Sequence, residues 1–116
     1  MKEWFDAVLN GDVSQIQKLA AKNIGKRDAK GRTALMYAAI SGQNDIVRML
    51  SKHEGKLQSN DGYTALMLGI INNNEDCVKL LANEVEVKSK DSTTPLMLAV
   101  AMNNTINLDP LMSTLG

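Results

Sequence analysis

Apolar residues along this chain come in short helical bursts, separated by polar connections, and the bursts recur. In "TALMYAAISG", beginning at Thr33, residues Leu35, Ala38 and Ala39 fall at i, i+3 and i+4, which is one face of a helix. Thr33 stands where its hydroxyl can cap that helix, and Gly42 where a left-handed residue can close it. The segment "NDIVRMLSKH" predicts a second helix, buried through Ile46, Val47 and Leu50. A polar, glycine-bearing connection, "EGKLQSNDG", leads to the next threonine.

The same unit returns along the chain. Thr33, Thr64 and Thr94 are spaced by 31 and then 30 residues, and each opens the phrase Thr-x-Leu-Met. Leu35, Leu66 and Leu96 keep step, as do the small residues Ala38, Gly69 and Ala99, and the pairs Val47/Val78 and Leu50/Leu81. One period earlier, "WFDAVLNGDVSQIQKL" sets Trp4 against Leu35, Ala7 against Ala38, Gly11 against Gly42, Ile16 against Val47 and Leu19 against Leu50. A single helix pair cannot bury both of its faces, whereas stacked copies cover one another. The fold class expected is therefore all-α, a short solenoid of stacked helix-turn-helix units.

These residues resemble the ankyrin repeat. The phrases "TALMYA", "TALMLG" and "TPLMLA" correspond to its Thr-Pro-Leu-His-x-Ala, "DAKGRT" from Asp28 to its turn, and "SGQNDIVRML" to its second helix. The resemblance runs from about Trp4 to Leu111 and implies one ankyrin-repeat domain over 1–116. Its parts would be a degenerate N-terminal capping repeat (1–27), repeats at 28–58 and 59–88, and a truncated C-terminal repeat (89–116). Met36, Met67 and Met97 replace the family's histidine, so an apolar contact in the core is expected where the family has a threonine–histidine bond. Ser92 stands where the turn glycine is expected, which predicts a distorted loop there.

Composition narrows the function. Thirteen basic and thirteen acidic residues cancel, which argues against general affinity for nucleic acid or an anionic membrane. The local cluster Lys22, Lys26, Arg27, Lys30 and Arg32 reads as a solvated loop. The lone Cys77 excludes an internal disulfide and fits a reducing compartment. The N-terminus has no secretory pattern, and the longest apolar run, Pro95 to Met102, is too short to span a bilayer. An intracellular, cytoplasmic protein is the expectation.

His53 and Cys77 are the only residues of their kinds, and no metal-ligand spacing or phosphate loop accompanies them. Cys77 takes the place of Ile46 one repeat on and reads as core. No enzyme activity, no cofactor and no metal are expected.

The resemblance instead implies a concave, protein-binding face made of loop tips and first helices. Carried over by position, its residues are Lys30, Arg32, Ile40, Ser41, His53, Asn60, Asp61, Tyr63, Ile71, Asn72, Lys90, Asp91, Thr93 and Met102. Ile40 and Ile71 are expected on exposed helix surface, beside Arg32 and Tyr63 as anchors.

At the C-terminal end, Leu108 and Leu111 take the places of Val47 and Leu50. Pro110 allows only a short helix there, starting at about Asp109. Leu111, Met112 and Leu115 would then lack cover. Self-association as a homodimer through this repeat, continuation into a longer array, and a helix folded back as a cap are the alternatives. The register itself is testable: Leu66→Ala is expected to cost about 2–5 kcal/mol, measured by denaturant unfolding, and a much smaller loss would contradict it.

Overall fold

The structure is a computed structural model that describes the backbone of residues 2–102 and 107–115, with side chains as far as residue 112. The expected helix pairs form, and no strand occurs among the described residues. They are α1 (Lys2–Leu9) with α2 (Val13–Asn23), α3 (Ala34–Ser41) with α4 (Asn44–Glu54), α5 (Ala65–Ile71) with α6 (Glu75–Leu80), and α7 (Pro95–Met102) followed by α8 (Asp109–Leu115). A 3-10 turn, Ala82–Glu84, extends α6. The first helices form one row, in which α3 packs between α1 and α5, and α5 packs against α7. In the second row α4 packs between α2 and α6, while α8 rests on α6 and the 3-10 turn.

Local chemistry explains where the helices begin and end. Thr33 and Thr64 accept the Met36 and Met67 amides at 3.3 Å, and Thr94 accepts the Met97 amide at 3.2 Å, which satisfies orphan donors at three helix starts. Gly42 closes α3 in the left-handed conformation (φ 71°). The carbonyls at that end are covered from the next pair, where the Asn74 side-chain amide donates to the Ala39 and Ile40 oxygens.

Leu35, Leu66, Ile46, Val47, Leu50, Val78 and Leu81 are all buried, at the positions where the periodicity places the core. Cys77 lies among them. A methyl added at Gly69 would come 2.8 Å from the Cys77 Cβ, so the small residue on α5 is what admits α6 at this distance.

Two glutamates join the pairs. Glu54, 1% exposed, accepts the Leu35 amide at 2.9 Å with one carboxyl oxygen and the Gly25 amide at 2.8 Å with the other. Glu84, equally buried, accepts the Leu66 amide at 3.1 Å and the Lys56 amide at 2.8 Å. Each carboxylate thus holds the first turn of its own helix pair and the exit of the preceding pair.

Three expectations need correction. Met36 and Met67 are buried, but Met97 is 54% exposed, because α7 packs on α5 and no described element covers its other side. The Met36 sulfur also accepts the Thr33 amide at 3.4 Å, so the contact replacing the threonine–histidine bond is a weak hydrogen bond as well as an apolar one. Leu111 is fully buried rather than uncovered, since α8 begins at Asp109 and turns that side chain inward. Met112 is exposed, and the side chain of Leu115 lies outside the described residues.

Burial pushes the pKa of both glutamates up, and it outweighs the opposing pull of the Gly25 and Leu35 amides on Glu54, and of the Lys56 and Leu66 amides and the Thr64 hydroxyl on Glu84. The folded state therefore binds more protons than the unfolded state once pH passes the ordinary carboxyl value, and stability falls as pH rises from there through the folded pKa values. Glu54→Gln leaves one buried amide facing an NH2 group. It is expected to cost about 1–3 kcal/mol at neutral pH and to flatten this part of the pH profile. Denaturation of both proteins across that interval checks it, and parallel profiles would contradict the assignment.

Candidate functional site

The loops between helix pairs form three fingers along one edge of the stack. In the first, the Asp28 amide donates to the Arg32 oxygen at 3.0 Å and the Gly31 amide to the Asp28 oxygen at 2.9 Å. One Asp28 carboxyl oxygen accepts the Lys30 and Arg32 amides at 3.0 and 2.9 Å, and the other accepts the Tyr37 hydroxyl. Burial works against the ionised form, but the Tyr37 hydroxyl and the two amides hold the Asp28 carboxyl below its usual range. The Tyr37 hydroxyl is pushed up by burial and by the same carboxylate. Arg32 stacks on this tyrosine, its guanidinium carbon 5.8 Å from the ring centroid, and Phe5 meets the ring edge-on at 5.6 Å.

Ser59 and Ser89 take the place of Asp28 in the other two fingers. Their backbone bonds repeat, with the Ser59 amide donating to the Tyr63 oxygen at 2.8 Å and the Ser89 amide to the Thr93 oxygen at 2.9 Å. The third finger is therefore formed and not distorted, a further correction to the sequence reading. Ser92 adopts the left-handed conformation that glycine would take there (φ 68°) and carries its strain.

The fingers are laced to one another. The Asn60 amide donates to the Lys30 oxygen at 3.0 Å, its side chain donates to the Ala29 oxygen at 3.0 Å, and the Lys90 amide donates to the Asp61 oxygen at 3.2 Å. The Gln58 side chain donates to both the Gly62 and Lys88 oxygens at 2.7 Å.

Between these tips and the first helices lies an open depression of about 750 Å³. Lys30, Arg32, Ile40, Asn60, Asp61, Tyr63, Ile71 and Asn72 line it, joined by Ala29, Ser59 and Leu68. Of these, Ser59 and Leu68 were not anticipated, and Leu68 falls inside an apolar run with no local sign of which face it takes. Ile40 and Ile71 are half-buried rather than fully exposed, and with Leu9, 51% exposed, they form an apolar row with one residue from each of the first three units.

A neighbouring depression of about 310 Å³ brings Lys90 and Asp91 together with Asp61 and Tyr63. Thr93 is half-buried beside it, its hydroxyl donating to Asp91 at 2.7 Å. The structure does not bring the remaining residues into either depression. Ser41 is exposed and donates to the Tyr37 oxygen at 2.7 Å; His53 is exposed in the last turn of α4; and Met102 is 43% exposed at the end of α7.

His53 and Cys77, each the only residue of its kind, differ in environment, His53 being exposed. Cys77 is fully buried, and burial, with Asp76 and Glu84 nearby, pushes its thiol up to about 11. No group of three or more histidine, cysteine, aspartate or glutamate side chains among the described residues is arranged to hold a metal. No described helix is long and apolar enough to cross a membrane.

The family described as ankyrin repeats, in three copies, has a model that matches residues 4–91, and the chain belongs to that family. Its members generally serve as protein-interaction modules and are typically non-catalytic. No curated protein matches the chain.

Two measurements follow from this geometry. Cys77 is expected to resist alkylation in the folded protein and to react fully in denaturant, followed by mass spectrometry; rapid native labelling would contradict its burial. Ser92→Gly relieves left-handed strain of about 1–2 kcal/mol per residue, against a glycine entropy cost of about 0.4–1 kcal/mol. It is expected to raise the unfolding midpoint, and a lowered midpoint would contradict the conformation of this finger.

Proposed function

We propose that this chain binds another protein through the concave face formed by its finger tips and first helices. The observation that carries this reading is the depression of about 750 Å³, in which residues that differ between copies stand on a frame that does not. Arg32 and Tyr63 offer a planar cation and an aromatic surface with a polar tip at its rim, and Ile40 and Ile71 offer an apolar floor. Lys90, Asp91 and Thr93 extend the face towards the third finger. Ser41, His53 and Met102 belong to its periphery. Catalysis, a cofactor, nucleic acid and a membrane have no part in this reading.

A second reading is favoured by a separate observation. Met97 is 54% and Val100 75% exposed on α7, Met102 is exposed at its end and Met112 on α8, which are apolar side chains suited to self-association through the last helix pair. A mass that rises with concentration in solution supports that role.

The binding face is tested by paired affinity capture from a lysate of the source cell. One bait is the native chain, and the other carries Arg32→Ala, Ile40→Ser and Tyr63→Ala, with folding of both checked by circular dichroism. Proteins retained by the native bait alone are the expected result. Identical sets on both baits would sink the reading.

A further inference from the structure

We infer that the occupant of the concave face is a protein segment bearing acidic side chains next to aliphatic ones. Its acids seat on Lys30 and Arg32 and its aliphatic side chains along Leu9, Ile40 and Ile71. This rests on the binding face proposed above and adds to it the chemistry of the partner.

The positive charge comes from the end of α2 and the loop that follows it. Lys22, Lys26, Arg27, Lys30 and Arg32 fall within one short span whose only acid is Asp28. That acid accepts the Lys30 and Arg32 amides on one carboxyl oxygen and the Tyr37 hydroxyl of α3 on the other, and it acts on the Arg32 charge only from beyond ion-pair distance. Among the described residues, the ion pair between Arg48 and Asp45 is far along the chain from this loop, and no carboxylate lies within ion-pair distance of the Lys30 or Arg32 side chains.

Arg32 is also pre-positioned. Its guanidinium is held against the Tyr37 ring, which limits the side-chain entropy lost on binding a carboxylate. Lys30 stands exposed on the same rim.

Apolar and charged features meet here. Ile40 and Ile71 line the depression that Lys30 and Arg32 rim, and Leu9, one repeat before Ile40, is exposed at the end of α1. Asp61, on the next finger, lines the same depression and repels an acid seated near it. The acidic part of the segment is thereby directed to the first finger. A nucleic-acid strand needs a longer unbroken row of cations, and Asp61 and Asp91 interrupt this one at the two following tips.

The experiment selects binders from a random peptide library against the full chain. The winners are then measured against Lys30→Glu/Arg32→Glu, Lys30→Gln/Arg32→Gln and Ile40→Ser, each checked for folding by circular dichroism. Expected are peptides enriched in Asp or Glu beside Leu, Ile or Val. Their affinity should fall about tenfold or more on charge reversal, less on neutralisation, and steadily with added salt.

Peptides without acidic bias that bind the charge variants unchanged, yet lose binding to Ile40→Ser, would overturn this inference and leave the binding face intact. Peptides indifferent to Ile40→Ser as well would overturn both. A fluorescent single-stranded oligonucleotide that binds the native chain but not the charge-reversed one would assign the basic rim to nucleic acid and overturn the inference.

Discussion

Two buried carboxylates do most to hold the repeats in register. Glu54 and Glu84 are each satisfied by amides from two successive helix pairs, with the charges of His53 and Lys56 adding only a smaller pull. A buried charge is tolerable only when such donors surround it. In return it fixes the start of a first helix relative to the loop that precedes it. The finger geometry, and so the shape of the concave face, follows from that placement. The apolar core supplies the larger share of the stabilisation but is less exacting, since aliphatic side chains pack acceptably in several registers.

With the frame fixed in this way, the surface is free to vary. The three fingers use Asp28, Ser59 and Ser89 at the same place to close the same turn, yet carry different side chains at their tips. Asp28 does more than close a turn, because its second oxygen anchors Tyr37, on whose ring Arg32 rests. One finger is therefore tied to its helix by side chains, whereas the second is braced within the loop by Ser59 and Gln58 and the third by Ser89, Asp91 and Thr93.

Much of this was legible in the sequence. Thr33 and Thr64 as caps, Gly42 as a stop, and the buried rows through Leu35, Leu66, Val47 and Val78 all follow from spacing, because helix periodicity and capping are local. The lining of the depression by Lys30, Arg32, Ile40, Tyr63 and Ile71 follows from the family's register, and whether it binds is a separate matter for experiment. The buried glutamates were missed. Glu54 opens the polar string "EGKLQSNDG", and nothing local distinguishes a carboxylate that caps two distant amides from one in solvent. The one available signal was that Glu54 and Glu84 recur 30 residues apart. Met97 was misplaced for a related reason, since its repeat position implied burial, but burial depends on a neighbour and not on the residue itself.

The bridging carboxylates also set how the molecule carries tension. Residues 114 and 115, which stand where a third bridging acid would fall, are Thr and Leu. The junctions spanned by Glu54 and Glu84 are each pinned by a bond to both sides, whereas among the described residues the junction before α7 is joined by side-chain packing, by the Gln58 side chain on the Lys88 oxygen and by the Lys90 amide on the Asp61 oxygen. Under a pull along the stack, the junction without a bridging carboxylate is the one expected to open first.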